Sequence, residues 1–306
     1  MTGKTGKGTV DMKLFSTQKR LAAPPSCATR STPQPISGQH QRLTSRIRNA
    51  CAQAGIQLAY EPLIHLPSGQ LWGVEVRVLK PTEQGQLINL RADELISHAE
   101  TSGYVLPMGY WALETALSEL QPWFTQCPQG QILIHLRPGQ MASPHLEATV
   151  QHLCQQYALC PSRLKLQMRE PGLQVHGPKI WRQLQRKPFE QLQLVIDSFD
   201  CSGADFSWLN SGLIQGVKVT PPRQPQPHQS LYTQQMKTLM VFKNLMGIDI
   251  IGCDIHNAVE LQQLRELGCD IGMGPALASA VDSHTLIHAL PRTIQPHETP
   301  HETHTH

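Results

Sequence analysis

The chain has 306 residues, of which 40% are hydrophobic, and a formal net charge of +3 at neutral pH. This length admits one large α/β barrel or two ordinary domains, and the apolar content suffices for a sizeable core. No apolar stretch reaches the roughly 18 to 20 residues of a membrane helix, and the N-terminal region lacks the apolar run of a secretory signal. We therefore expect a soluble cytoplasmic protein without a membrane partner.

The basic character of the chain belongs to its first 50 residues. They contain nine Lys or Arg residues and one acidic residue, Asp11, whereas the other 256 residues hold 17 basic and 22 acidic side chains, a formal charge of −5. Residues 1–49 are rich in Gly, Ser, Thr, Pro and Gln and show no sustained apolar period, which predicts a disordered basic arm. Such an arm either contacts an acidic partner or nucleic acid or is a plain flexible leader.

Eight short apolar runs then alternate with amphipathic segments. The first two runs, 57–66 and 70–79, flank the turn residues Pro67-Ser68-Gly69 and predict an antiparallel hairpin. Later strands are predicted at 131–136, 164–168, 192–196, 216–219, 248–252 and 270–273. Helices are predicted at 92–102, 108–120, 144–157, 179–185 and 232–246, and in a last segment that begins at the capping pair Asn257 and Glu260 and ends at Gly268. This order predicts a TIM-like (β/α)8 barrel over residues 50–290, with an antiparallel first strand.

The ends of the chain and the cysteines add little chemistry. The tail, residues 291–306, contains His297, His301, His304 and His306 and is predicted to be disordered, with solvated histidines. Eight cysteines without a CxxC pair predict reduced thiols rather than a disulfide framework.

Polar or sulfur-containing side chains stand where most of the apolar runs end. They are Glu75, His135, Gln167, Asp197, Lys218, Cys253 and Met273. In a barrel of this type the carboxyl ends of the strands meet at one face, where catalytic groups lie. The set resembles a metal site in which several ligands have been replaced.

Residues 57–290 resemble the EAL domain, the family of cyclic-di-GMP phosphodiesterases. The resemblance rests on four segments that occur in the family's order and spacing: YEPLIHLPSGQLWGVEVRVL (60–79), GYVLPMGYWAL (103–113), IDSFDCSGADFSWL (196–209) and LRELGCDIGMG (264–274). It implies a fold and a reaction, the hydrolysis of one phosphodiester bond by a water held between two divalent metal ions. Such ions prefer hard oxygen ligands.

The resemblance also shows which site residues are kept. The metal-binding glutamate of the name-giving motif is Glu75, in the sequence Glu75-Val76-Arg77. The family's later loop glutamate, its first aspartate and its lysine match Glu170, Asp197 and Lys218.

Other positions of the family's site are substituted. Those that match family ligands or site residues are His135, Gln167, Ser198, Thr220, Cys253, His256 and Met273. Leu79 stands where the family has a phosphate-binding arginine, and Pro275 replaces a tyrosine. Loss of several carboxylates removes negative charge that is needed to bind two divalent cations. In addition, Cys253 and His256 replace two glutamates of the family, and this replacement removes a general base.

We therefore expect a catalytically inactive EAL domain without a cofactor. It would act as a regulatory, protein-interaction module in bacterial cyclic-di-GMP signalling, with an unidentified protein partner and a possible homodimeric state. An alternative is a receptor that binds cyclic-di-GMP without cutting it, with Arg77 reaching the phosphate in place of Leu79.

Two less favoured hypotheses remain. One is an active phosphodiesterase. The other is a zinc site in which His135, Cys253 and His256 are the softer ligands and Asp197 or Glu75 completes the shell. Lys218 is open to two interpretations: it is retained either for chemistry or for a structural ion network with Asp197 and Glu75.

Overall fold

A sheet that closes on itself carries the polar side chains predicted above. The computed structural model describes residues 38–82, 84, 86–89, 105–170, 178, 180–182, 192–199, 213–221 and 229–290. The strands in these ranges are β1 (Gln57–His65), β2 (Gln70–Pro81), β3 (Leu87–Asn89), β4 (Gln131–His135), β5 (Leu164–Arg169), β6 (Gln193–Asp197), β7 (Ile214–Val219), β8 (Asp249–Gly252) and β9 (Ile271–Gly272). The helices are α1 (Gly38–Gln53), α2 (Val105–Glu119), α3 (Gln121–Gln126), α4 (Pro138–Met141), α5 (Leu146–Gln156), α6 (Gln229–Met246), α7 (Ala258–Glu266) and α8 (Ser283–His288).

The sheet is a barrel of eight strands with one further strand at its side. The strand order is β1-β9-β8-β7-β6-β5-β4-β2-β3, and β1 also pairs with β2, which closes the ring. β1 runs antiparallel to both of its neighbours, and the other ladders of the ring are parallel. The structure thus confirms the predicted TIM-like barrel with an antiparallel first strand. The sequence did not predict β3, since its three residues are too few to show a period.

The first hairpin contains a bulge that directs one aromatic side chain. Gly69 adopts a φ of +67°, and its N–H donates to the carbonyl of His65 at 2.8 Å, which confirms the predicted turn. Next to the turn, Ile64 pairs with Leu71, but the following pair is Leu63 with Gly73. Trp72 is therefore an extra residue in β2. A bulge of this kind redirects the side chain of the inserted residue.

Two apolar cores flank the barrel wall, because alternate strand residues face inward and outward. The larger core lies between strands and helices. The smaller one fills the barrel with Leu63, Leu133, Val195, Ile251, Cys253, Ile271 and Met273, and Trp72 packs against it. At the amino end of the barrel, the buried Lys165 ammonium contacts Gln193 Oε1 at 2.5 Å and Asp249 Oδ2 at 3.2 Å, and it lies 5.6 Å from the centre of the Trp72 ring. This polar cluster was not predicted from the sequence.

Helix α1 corrects one boundary. Residues 38–49 were assigned to the disordered arm, but they are helical. Buried Thr44 and Cys51 and half-buried Ile47 recur at helical spacing on one face, and Arg48 forms an ion pair with Glu114 of α2 at 2.9 Å. Packing of this face offsets the otherwise polar composition. Residues 1–37, the tail 291–306, the predicted helix 92–102 and most of the predicted helix 179–185 lie outside the described residues.

Helices α2, α5, α6 and α7 agree with the prediction to within a few residues at each end, whereas the short helices α3, α4 and α8 were not predicted. The Asn257 side chain accepts a hydrogen bond from the Glu260 N–H at 2.9 Å, and Gly268 follows α7 with a φ of +87°, so the predicted cap and stop are both confirmed. No helix in the described part of the chain is long and apolar enough to cross a bilayer.

Candidate functional site

Five strands bring polar side chains together at the carboxyl end of the barrel. Glu75 of β2, Gln167 of β5 and Lys218 of β7 are buried there, with exposed fractions of 1–2%. His135 of β4 and Asp197 of β6 stand at their edge. The sequence predicted this convergence from the run ends, and a chain of neighbouring side-chain atoms runs from Gln167 through Glu75, Lys218 and Asp197 to His135.

Glu75 is the centre of the cluster. Its Oε2 accepts a hydrogen bond from the Lys218 ammonium at 2.7 Å, and its Oε1 accepts one from the Gln167 amide at 2.9 Å. The Arg77 guanidinium is also 3.1 Å from Oε1. Burial acts to raise the pKa of Glu75, but the attraction of Lys218 and Arg77 outweighs it and holds that pKa below its usual range. Both carboxylate oxygens are thus bonded to protein donors.

Lys218 joins Glu75 to Asp197. Its ammonium lies 3.2 Å from Asp197 Oδ1 as well as 2.7 Å from Glu75. Burial alone would lower the pKa of Lys218, yet the two carboxylates raise it above its ordinary value, so the side chain is charged. The structure therefore contains the ion network that was one of the two interpretations of this lysine.

His135 and Asp197 form the outer edge of the cluster. Their closest atoms, Nδ1 and Oδ2, are 3.9 Å apart, which is too far for a hydrogen bond. Burial lowers the pKa of His135, so the imidazole is neutral at pH 7. Burial acts to raise the pKa of Asp197, but the attraction of the Lys218 ammonium opposes it and the pKa is lowered. Ser198, which follows, is exposed and has a φ of +56°, in the left-handed region.

Glu61 of β1 is a member of the cluster that the sequence did not reveal. Its Oε2 accepts a hydrogen bond from Arg77 Nε at 2.8 Å and lies 2.6 Å from Arg77 Nη2. Burial raises the pKa of Glu61 even though Arg77 acts in the opposite direction. The guanidinium of Arg77 therefore lies between two carboxylates, those of Glu61 and Glu75.

The two sulfur-containing side chains of the predicted set, Cys253 and Met273, are buried in the apolar core inside the barrel. Cys253 is buried, its thiol donates to the Val219 carbonyl at 3.3 Å, and its Sγ is 3.2 Å from Thr220 Oγ1. Burial raises the pKa of Cys253 to about 11, so the group is a thiol at neutral pH. Met273 is buried in the core inside the barrel.

The structure does not form the suggested zinc site. Among the described residues, no group of three or more His, Cys, Asp or Glu side chains is arranged to hold a metal ion. His256 is exposed, and its backbone N–H donates to Glu260 Oε2 at 2.7 Å. This geometry therefore lends no support to the zinc hypothesis based on His135, Cys253 and His256.

Three other predicted positions lie at the margin of the site. Glu170 is buried directly after β5. Leu79 is half-buried and pairs with Asn89 of β3, and Pro275 is exposed. Gln167 Oε1 is buried and has no hydrogen-bond partner among the described residues.

Comparisons with known proteins agree on a family and a fold. A family model described as "EAL domain" matches residues 44–280. "Uncharacterized protein y4lL" of Sinorhizobium fredii is 29% identical over 182 residues, which are 58% of this chain and 21% of that protein. "Cyclic di-GMP phosphodiesterase PA2567" of Pseudomonas aeruginosa is 25% identical over 255 residues, which are 80% of this chain and 42% of that protein. The chain thus spans less than half the length of both relatives.

A solved structure gives the same fold. The "PaMucR Phosphodiesterase, c-di-GMP complex" superposes with a TM-score of 0.68 at 20% sequence identity, and the match covers 80% of this chain and 99% of that one.

Proposed function

Because this chain belongs to the EAL domain family, which its match over residues 44–280 shows, we propose that it is a non-hydrolysing member that regulates other proteins by binding them, in or near cyclic-di-GMP signalling. One observation carries the proposal. The retained glutamate of the name-giving motif, Glu75, has both carboxylate oxygens bonded to side chains of the protein itself. Its lone pairs serve an internal ion network rather than a catalytic metal.

The side chains at the barrel mouth do not fit the two divalent ions that the family's reaction requires. Magnesium and manganese need several oxygen ligands, preferably charged ones. Here the matching positions include a neutral imidazole, an amide, a hydroxyl, a thiol and a thioether, at His135, Gln167, Ser198, Cys253 and Met273. Of the carboxylates that remain, Glu75 and Asp197 already share Lys218.

The general base of the reaction has no replacement at the same place. A base must carry a lone pair near the nucleophilic water and have a pKa near the working pH. Cys253 is a buried thiol with a pKa of about 11, and the exposed His256 belongs to the start of α7. Loss of the metal ligands and loss of the base are independent reasons to expect no turnover.

The direct test is hydrolysis of cyclic-di-GMP. We expect no linear product after incubation of the purified chain with cyclic-di-GMP and Mn²⁺ or Mg²⁺, as followed by liquid chromatography. An active EAL phosphodiesterase, assayed in parallel, shows that the conditions permit turnover. Product formed at ordinary enzyme rates, on the order of 1 per second or more, would overturn the proposal.

A second candidate is a receptor that binds cyclic-di-GMP without cleaving it. The observation in its favour is that a solved structure with the same fold is described as a cyclic-di-GMP complex. Against it, Arg77 is held by Glu61 and Glu75, and Leu79 offers no charge to a phosphate. Isothermal titration decides: saturable heat at ligand concentrations on the order of tens of micromolar, without product, would favour the receptor.

The partner in the favoured proposal is another protein, and a homodimer is one form that such an interaction takes. Light scattering coupled to gel filtration measures the mass of the purified chain, for which a monomer is 34.1 kDa. A mass near twice this value would support self-association, and a monomeric mass would leave a different protein as the partner.

A further inference from the structure

We propose that Arg77 is a built-in cation of the barrel mouth, which holds the carboxylates of Glu61 and Glu75 together in place of a divalent metal ion. The inference goes beyond the proposed function, because it concerns what stabilises the mouth of the barrel rather than what the protein regulates. It rests on the geometry of the first hairpin.

The register of that hairpin brings two carboxylates together. Glu61 of β1 stands directly opposite Glu75 of β2 in the ladder. Directly opposed residues of an antiparallel pair are close neighbours on one face, and two like charges in such a pair repel each other. Both side chains are shielded from water, with exposed fractions of 15% and 2%. Such a pair needs a cation between its members.

Arg77 supplies that cation. Its Nε and Nη2 contact Glu61 Oε2 at 2.8 and 2.6 Å, and its Nη1 lies 3.1 Å from Glu75 Oε1. The planar guanidinium presents donors in several directions at once, which suits two carboxylates that face one another. Arg77 lies on β2 two residues beyond Glu75, so both side chains point to the same side of the sheet.

Lys218 does not bridge Glu61 and Glu75 as Arg77 does. It contacts Glu75 Oε2 and Asp197 Oδ1 and thereby covers the other side of the cluster. The formal charge of the cluster is then −1, from the carboxylates of Glu61, Glu75 and Asp197 and the two cations. Without Arg77 it would be −2, with the excess concentrated at the Glu61–Glu75 pair.

The arrangement also excludes a divalent ion from Glu75. A bound Mg²⁺ or Mn²⁺ would need carboxylate oxygens at about 2.0–2.2 Å, but both Glu75 oxygens are bonded to protein donors, two of them cationic. Because arginine is not deprotonated in proteins, the Arg77 guanidinium is a cation that is covalently part of the chain. It cannot dissociate as a metal ion does.

The test compares the binding of Mn²⁺ alone to four forms of the full chain. They are the wild type, Arg77→Met, Arg77→Met with Gln167→Glu, and the control Arg48→Met, which removes an arginine from an ion pair outside the barrel. Mn²⁺ binding is followed by electron paramagnetic resonance, and thermal unfolding is recorded at constant ionic strength with and without Mn²⁺.

We expect no measurable Mn²⁺ binding and no Mn²⁺-dependent shift of the melting temperature in the wild type or in Arg48→Met. Arg77→Met should melt at a lower temperature than Arg48→Met. The Arg77→Met/Gln167→Glu variant should bind Mn²⁺ at least about tenfold more tightly than the wild type and regain part of the lost melting temperature when the ion is added, because a ligand that binds the folded state stabilises it.

Two results would overturn the inference: Mn²⁺ binding by the wild type as tight as by the Arg77→Met/Gln167→Glu variant, or an Arg77→Met variant that melts no lower than Arg48→Met. If Arg77→Met does not fold, the Glu61→Gln/Arg77→Met variant relieves the repulsion of the Glu61–Glu75 pair by another route and should fold, and failure of this variant as well would overturn the inference. None of these readouts measures turnover, so the inference and the proposed lack of hydrolysis can fail separately.

Discussion

Replacement of Lys218 by methionine tests the energetic role of the buried ion network. The ammonium is 2.7 Å from Glu75 and 3.2 Å from Asp197, and the side chains of Lys218 and Glu75 are 3% and 2% exposed. Methionine keeps the approximate length and apolar stem of lysine but removes the charge. The variant therefore leaves a buried carboxylate without its strongest partner.

The expected loss of unfolding free energy is about 3 kcal/mol, the lower end of the range of about 3–5 kcal/mol for breaking a buried ion pair from one side. We choose the lower end because Arg77 and Gln167 still contact Glu75 Oε1 after the substitution. In a chain of this size, this loss corresponds to a decrease of roughly 6–12 °C in melting temperature.

Urea unfolding of a double-mutant cycle measures the effect. The cycle comprises the wild type, Lys218→Met, Glu75→Gln and the double variant. Because replacing both members of a buried pair is often close to neutral, the double variant should be more stable than the sum of the single losses predicts. Additive losses, or a Lys218→Met loss below about 1 kcal/mol, the size typical of a surface pair, would refute the view that this network is a buried and coupled unit.

The effect of Lys218→Met on the unfolding free energy should change with pH in a direction that the structure defines. In the wild type the folded-state pKa values of Glu75 and Asp197 are lowered, so their contribution is present above about pH 4 and is lost as the pH falls through those values. In Lys218→Met, Glu75 has lost the cation that lowers its pKa most, so burial should raise its pKa in the folded state above its pKa in the unfolded state. The difference in unfolding free energy between the wild type and the variant should then narrow as the pH falls through this raised pKa, and a difference that widens on acidification would contradict this reasoning.

Two further predictions concern single side chains. Gly73→Ala places a Cβ 2.5 Å from the Gln131 carbonyl oxygen and should lower the unfolding free energy, measured with urea, by about 1–3 kcal/mol. In the control Gly139→Ala the new Cβ meets nothing within 4 Å, so the unfolding free energy should hardly change. Equal urea midpoints for the two variants would contradict the close approach of the strands at Gly73. Cys253 is 6% exposed and burial raises its pKa to about 11. It should therefore react with iodoacetamide at about pH 8 at least roughly tenfold more slowly than the half-buried Cys160, as followed by peptide mass spectrometry. Comparable labelling of the two cysteines would mean that the mouth of the barrel opens readily.

Much of the barrel could be predicted because its strands are buried. Such strands appear as short apolar runs, and the ring strands lie where these runs do. Helix α1 could not be predicted in the same way, since its packed face includes Thr44 and its composition is that of a solvated segment. Packing against α2, which a local pattern does not contain, stabilises this segment as a helix.

The site was predictable only as far as the strand ends reveal it. Glu75, Asp197 and Lys218 follow apolar runs, and their ion pairs could be anticipated from charge and position. Glu61 could not, because counting the ladder from the turn places it opposite Val74. The inserted Trp72 shifts the register by one residue and brings Glu61 opposite Glu75.

That insertion has a consequence for how the barrel can change. The strand pairing on either side of Trp72 is regular, so a chain that lacked residue 72 could form an unbroken ladder and still place Glu61 opposite Glu75. It would lose the indole ring that lies beside Lys165 at the opposite end of the barrel. Residue 72 therefore contributes the aromatic surface beside Lys165, whereas the pairing of the residues that follow it places the two glutamates of the charged mouth opposite each other.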